Sequence, residues 1–586
     1  MTAPGTLPDD PEASGRLLFA TALLAGLVMR LFLLGRPDLF GPDEGIWAVA
    51  ARNLVEGGGP QLFGLSAEPL GEPSGVPVFF PALLSVVVRV FGAQEWAIRL
   101  PSVFAGLLGA FLLERVVKRG YGQPAGHLAG AFAALFPPLV LASRAATVEP
   151  TLVALGLAGV IFGLRAFEED HPGEGALAGF CFGLGFLAKG DAVFLFLGPL
   201  LVALLARPRL FSLGATRRSL GLLLGAFVLT GGSHLLLSLV AGSGMPAPLV
   251  DSFFGVPGRG LYAASGTAFG ADLKTVVGAL FLFLPLAGLG AAYLLREVGE
   301  PEVASGATGG PRRLPHGVLW GVFGLQLVAV VAAAGKLSLS SIPVLPALAA
   351  FAGLGAALLL TPAAEPRTRR KEIGVSVTAG AVTLATAGFL AALPSEPLFG
   401  GVRTPLVSGS ALAAAAAAAA VGTVLVAGVG AARFGRRPAT VFVGVLLVAS
   451  GVESVGFVRR ELLTHRTYAR EVADQIAPLV ARLSPRELAF RAPDAPALSF
   501  LLFRTGRTWN GASSAAQVAA EARGGTISCW AFRTDVPDGP SSPRREVKEW
   551  LAENAREVTA DVSARAGRDV RMRVFVAEPS RLTAAP

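Results

Sequence analysis

Charged residues are scarce in this sequence: Asp, Glu, Lys and Arg together make up 16% of 586 residues. A soluble domain carries about a quarter, so an ordinary soluble enzyme is excluded. The two cysteines, Cys181 and Cys529, cannot build a secreted disulfide scaffold. Five scattered histidines offer no zinc-type cluster. Apolar residues are abundant, at 53% of the chain with a mean hydropathy of +0.60. A disordered chain lacks such surface, and most of this length needs lipid as its solvent.

The net charge is +9, yet its placement excludes nucleic acid as the natural partner. The basic residues cluster between apolar runs, as the positive-inside rule requires of a polytopic membrane protein. Crossing a hydrocarbon core of about 30 Å takes roughly 20 helical residues. Thirteen such spans are predicted, near 17–35, 97–114, 125–142, 147–166, 174–189, 191–206, 219–241, 273–296, 316–334, 341–361, 373–393, 407–432 and 438–458. The first lacks a basic n-region beyond Arg16 and a small-residue cleavage site, so no cleavable signal is expected.

One further apolar run, Val76 to Phe91, is interrupted by Pro77 and Pro81 and is too short beyond them to cross, so it reads as an interfacial helix. With that run in the interface, five basic clusters fall on one side. They are Arg115/Lys118/Arg119, Arg207/Arg209/Arg217/Arg218, Arg312/Arg313, Arg367/Arg369/Arg370/Lys371 and Arg433/Arg436/Arg437. That side is then the cytoplasm, and the N-terminus belongs to it. Segments 36–96, 143–150, 242–272 and 394–406, with the helix ends holding Lys189 and Lys336, face outward.

The expected organisation is a cytoplasmic tail over 1–16, a multi-pass transmembrane domain over 17–458, and a small soluble extracytoplasmic α/β domain over 459–586. In the last, strands are predicted over Glu487–Arg491, Thr526–Phe532 and Met572–Ala577, and helices over Ala515–Ala522 and Arg545–Ala555. Cys529 reads as core, and the alanine run Ala413–Ala420 as helix-packing surface.

Chemistry-bearing residues concentrate on the outward side. Gly41-Pro42-Asp43-Glu44-Gly45-Ile46-Trp47 places two adjacent acids at the start of a helix predicted to lie along the membrane, with Ile46, Trp47, Ala50 and Leu54 on one face and Arg52 and Glu56 on another. Taken alone, such acids read first as an N-cap, since Asp is favoured there and carboxylates suit the positive end of the helix dipole. Glu149, in Thr147-Val148-Glu149-Pro150, stands at the mouth of another span, where it is either a plain helix start or a second acid of a site. Lys189, Arg259 and Lys336 share that outward surface; each is also consistent with snorkelling from a helix end, and Lys189 with pairing to Asp191. Carboxylates facing cations at a membrane surface suit transfer of a sugar from a lipid phosphate. The phosphate is already a good leaving group, cations absorb its charge, and a carboxylate serves as general base to the acceptor.

The order of motifs resembles the GT-C membrane glycosyltransferases that use polyprenyl-phosphate sugars, in particular lipid A aminoarabinose transferases and protein O-mannosyltransferases. The likeness rests on Pro42-Asp43-Glu44, the run ending in Phe91-Gly92, Arg99-Leu100-Pro101-Ser102, Glu149, Leu187-Ala188-Lys189-Gly190, and Gly335-Lys336-Leu337 with Pro343 and Pro346. It implies a mainly α, GT-C type polytopic fold of about 13 transmembrane helices, with interfacial helices in the first outer loop. It implies Asp43 as the catalytic carboxylate with Glu44 and Glu149 as companion acids. Arg259, in Gly258-Arg259-Gly260-Leu261, together with Lys336 and Lys189, would hold the donor phosphate. No metal ligands are implied, and a divalent cation stays open, since Arg259 and Lys336 could neutralise the phosphate without one.

The sequence departs from the family in places. Ile46-Trp47 stand where Arg-Tyr is usual, Glu72-Pro73-Ser74-Gly75-Val76-Pro77 lacks the lysine of the usual Lys-Pro element, and Ser338 and Ser340 replace a proline and a tyrosine. The implied activity is that of an inverting hexosyl- or pentosyltransferase in the cell membrane. Its partners would be a polyprenyl-phosphate-linked sugar, an acceptor that is a glycolipid, a cell-wall polymer or a protein, and membrane lipids. The alternative is a non-catalytic relative that binds or positions a lipid-linked sugar. A transporter is disfavoured because the acids sit at helix mouths and not at the bilayer midplane.

Overall fold

In lipid the backbone has no solvent to bond to, so apolar runs close their hydrogen bonds within helices, and Gly and Pro mark where those helices break. The computed structural model describes residues 11–35, 41–56, 79–190, 193–208, 210, 213–233, 284–299, 314–334, 339–360, 437–464, 489–491, 515–523, 527–533, 543–560 and 572–577. The chain begins with helix α1 (Pro11–Leu31), then α2 (Gly41–Glu56) and α3 (Phe79–Phe91). Gly92, at φ 78°, turns α3 into the long α4 (Glu95–Tyr121), and Gly122, at φ 84°, turns α4 into α5 (Gln123–Leu135). Both turns need a left-handed backbone, which glycine adopts without strain.

After α5 come α6 (Pro137–Arg144), α7 (Glu149–Glu168), α8 (Pro172–Ala188), α9 (Phe194–Leu205) and α10 (Gly214–Gly231). Further on lie α11 (Leu284–Gly299), α12 (His316–Ala334), a 3-10 turn (Leu339–Val344) running into α13 (Leu345–Leu360), and α14 (Arg437–Thr464). Residues of α1 and α4–α14 share one continuous apolar core, built around Phe132, Phe182, Phe196 and Trp320. Small residues let the helices close on one another. On α8, Gly175 and Gly179 lie against the Ser219 and Leu223 carbonyls of α10, and Gly183 against Thr230.

Among the described residues, Glu95–Tyr121, Glu149–Glu168 and Ile342–Leu360 are each long and apolar enough to cross a membrane. The span expected over 125–142 is two helices, α5 and α6, bent by 53°. The cause is Pro137-Pro138, which cannot continue the helical hydrogen bonds. Those two helices make a fourth crossing when taken as one. The spans expected over 373–393 and 407–432 lie outside the described residues, as do parts of those over 219–241 and 273–296.

The C-terminal part holds strands β1 (Ala489–Arg491), β2 (Ile527–Arg533), β3 (Ala555–Glu557) and β4 (Met572–Ala577), with helices α15 (Ala515–Arg523) and α16 (Pro543–Asn554). The sheet order is β1-β2-β4-β3; β1 runs parallel to β2, and β4 is antiparallel to both β2 and β3. Trp530, Trp550, Leu551 and Phe575 form its core. The predicted helix over Arg545–Ala555 stops at Asn554, because Ala555 already pairs with Ala577. A strand of three residues is too short to show a period-2 pattern. The side chain of Cys529 lies outside the described residues.

Candidate functional site

Glu44 is the fourth residue of α2 and is completely buried. Arg99, in the first turns of α4, grips it with two bonds: Nε donates to Oε1 at 2.6 Å and Nη2 to Oε2 at 3.0 Å. The Ala146 N–H donates to the same Oε1 at 2.8 Å, and Arg99 Nη1 donates to the Leu34 carbonyl at 2.6 Å. Such a bidentate guanidinium–carboxylate pair is directional as well as charged. The packing that seats α2 is apolar. Trp47 meets Phe80 edge-on at 5.6 Å, and Ala48 and Ala51 let α2 close on Phe80, Leu84 and Val88 of α3. Arg52, expected on a different face from Trp47, is buried as well. The inward stripe of α2 is 44, 47, 48 and 51, so a residue at 52 lies at its margin.

Glu149 opens α7 and is buried, and Lys189 ends α8 and is buried beside it. Lys189 Nζ stands 3.1 Å from Glu149 Oε1. Glu149 is thus a helix start, as one alternative had it, and is also paired with Lys189 across two helix ends, while Asp191 lies outside the described residues. Between the two acids, the Thr147 N–H donates to Ser102 Oγ at 3.2 Å and Ser102 Oγ donates back to the Thr147 carbonyl at 2.9 Å.

Two further arginines at this end have no assigned role in the sequence reading. Arg144 Nη1 donates to the carbonyls of Met29 (2.7 Å), Arg30 (3.0 Å) and Phe32 (2.9 Å). Arg30 Nη1 donates to Gly26 O at 3.0 Å and Ala134 O at 2.7 Å, and both arginines are fully buried. The signal was available: Arg30 interrupts the run Leu27-Val28-Met29-Arg30-Leu31-Phe32, and a cation inside an apolar span needs internal partners. Among the described buried side chains at this end, cations outnumber acids, which favours an anionic ligand.

Of the residues expected in the site, Glu44, Glu149 and Lys189 are brought to one end of the helices and linked through residues 144–149. Asp43 is the third residue of α2, adjoining Glu44, and its side chain lies outside the described residues. Arg259 and Lys336 also lie outside them. Chemically, Glu44 has donors on both oxygens, and these bonds anchor α2 to α4 and to the Ala146 backbone.

The opposite end carries a separate ionic network. Arg119 of α4 bonds Glu168 Oε2 at 2.7 Å and Glu169 Oε1 at 2.6 Å, and Glu168 Oε1 accepts from the Leu314 N–H at 3.0 Å. His316 Nε2 is 3.3 Å from that same Oε1. The Arg119 hydrogen bond holds the Glu169 carboxyl below the usual carboxylate range.

Residues 75–231 match the family described as dolichyl-phosphate-mannose-protein mannosyltransferase. A Bacillus subtilis (strain 168) protein named "Putative mannosyltransferase YycA" is 32% identical over 161 residues, 28% of this chain and 21% of that one. The match therefore spans about a fifth of that curated relative. Among solved structures, ArnT from Cupriavidus metallidurans bound to undecaprenyl phosphate superposes with a TM-score of 0.60 at 21% identity, covering 98% of this chain and all of that one. The oligosaccharyltransferase of Archaeoglobus fulgidus in its apo form gives a TM-score of 0.50 at 13% identity, covering 94% and 73% of the two chains. With its helical bundle, its bent α5–α6 pair and its buried acids at one end, the chain has the fold of the GT-C membrane glycosyltransferases.

Proposed function

We propose that this protein is an inverting glycosyltransferase that moves a sugar from a polyprenyl phosphate to an acceptor at the outer face of the membrane. Asp43 is the general base. It takes the proton of the acceptor's nucleophile as that atom bonds to the anomeric carbon. The bond from that carbon to the phosphate oxygen breaks, and its electron pair leaves on the polyprenyl phosphate. Arg259, Lys336 and Lys189 hold the phosphate and absorb the charge that develops there. Glu44 fixes the helix that carries Asp43, and Glu149 sets Lys189 at the mouth of the site. The acceptor is a glycolipid, a cell-wall polymer or a protein, and residues 459–586 form the extracytoplasmic α/β domain above it.

The observation that carries this reading is the joining of two buried acid–cation pairs, Glu44–Arg99 and Glu149–Lys189, at the end of the bundle next to Asp43. The similarity of residues 75–231 to the mannosyltransferase family and the bound undecaprenyl phosphate of the ArnT structure support the donor class. The test uses the full chain in lipid nanodiscs with a panel of polyprenyl-phosphate sugars. Transfer from at least one donor, abolished in Asp43→Asn without loss of thermal stability, is expected. Normal turnover in Asp43→Asn removes the catalytic assignment. A second reading, a non-catalytic sugar-lipid binder, is favoured by the absence of lysine in Glu72–Pro77. Binding without turnover across the whole panel would establish it instead.

A further inference from the structure

The run from Arg144 to Glu149 touches four helices in succession. Arg144 reaches three carbonyls at the end of α1, Ala146 donates its N–H to Glu44 of α2, Thr147 exchanges bonds with Ser102 of α4, and Glu149 receives Lys189 from α8. The last carbonyls of a helix have no partner within it. At the end of α1 one buried guanidinium donates to two of them, those of Met29 and Arg30, and to the Phe32 carbonyl just beyond the helix. Arg99 ties the residues that follow α1 to α2, donating to the Leu34 carbonyl and to both oxygens of Glu44. The same short run then holds the fourth residue of α2 through Ala146.

We infer that Arg144 is a positioning residue for sugar transfer: by clamping the end of α1 while its own segment holds Glu44, it sets the place of the first turn of α2, and with it Asp43. This deepens the reading above and rests on it. Arg144 is fully buried with its Nη1 on main-chain carbonyls, so in this role it governs turnover and not donor affinity. A reacting group misplaced by roughly 1 Å costs about 100-fold in rate. Arg144→Met is therefore expected to lower kcat by about that factor while KM for the donor stays within about twofold.

The experiment joins steady-state kinetics to amide hydrogen exchange on the full chain in nanodiscs, comparing wild type, Arg144→Met and Arg144→Lys. Exchange should rise across α2 (Gly41–Glu56) in Arg144→Met and stay at wild-type rates in α8 and α10. Arg144→Lys keeps a charged donor but loses the planar fork, and it should fall between the two in both readouts. Should Arg144→Met fail to accumulate, Arg144→Lys carries the same comparison with wild type. Unchanged exchange in α2, or an equal rise in α8 and α10, overturns the positioning role, because the second pattern is general destabilisation. A wild-type protein inactive with every donor counts against sugar transfer, and the exchange pattern then decides the clamp on its own.

Discussion

The carboxylate of Glu44 and the guanidinium of Arg99 are both shut off from solvent, so each is tolerable only because of the other. Removing one partner of such a pair costs roughly 3–5 kcal/mol, because the survivor stays buried and uncompensated. Arg99→Met and Glu44→Leu should each lower unfolding stability by that order, and the double replacement should recover a substantial part. A double-mutant cycle on the purified protein measures this. The opposite end offers a pH readout. Arg119 depresses the folded-state value of Glu169, so this bond stabilises the fold above the ordinary carboxylate value and is lost as pH falls through the lower folded one. Glu169→Gln should flatten the thermal-stability profile below about pH 4, by at most about 1 kcal/mol for so exposed a pair. At this scale Glu149 and Lys189 were legible one at a time, as charges at helix mouths. Their mutual contact was not, because 40 residues separate them and only the antiparallel packing of α7 and α8 joins them.

Helices are held to one another here largely by what glycine leaves out. A Cβ at Gly179 would collide with the Leu223 carbonyl of α10, whereas one at Gly225, on α10 itself, meets nothing within 4 Å. The same replacement should therefore have opposite outcomes. Gly179→Ala forces α8 and α10 apart and should cost about 1–3 kcal/mol. Gly225→Ala should be neutral or stabilise by up to about 1 kcal/mol, since alanine is the better helix former. Thermal unfolding of the two variants in nanodiscs decides. Element boundaries were read well where periodicity and length were ample: the run 316–334 is helix α12 to the residue, and β4 occupies Met572–Ala577 as predicted. Reading failed where a proline pair bends a continuous apolar run, because hydropathy records composition and not direction.

The two ends of the bundle each carry an ionic network, and the positive-inside rule applied to the basic loops predicts that the end with Arg119 faces the cytoplasm. In a Cys529→Ala background, Gln94→Cys lies at an exposed site in the turn before α4, and Gly173→Cys at an exposed site at the start of α8. An impermeant maleimide added to intact cells should label the first, and should label the second only after permeabilisation. The reverse pattern would invert the topology and move the acid-bearing end to the cytoplasm. The bend after α5 carries its own consequence for how the chain is made. The Leu135 carbonyl, cut off from its helical partner, is answered by the hydroxyls of Ser450 and Ser454 at 2.9 and 2.7 Å. Those serines leave the ribosome more than 300 residues later. The bonds that complete the kink in the finished bundle therefore form only once the late helix α14 has been made and docks there.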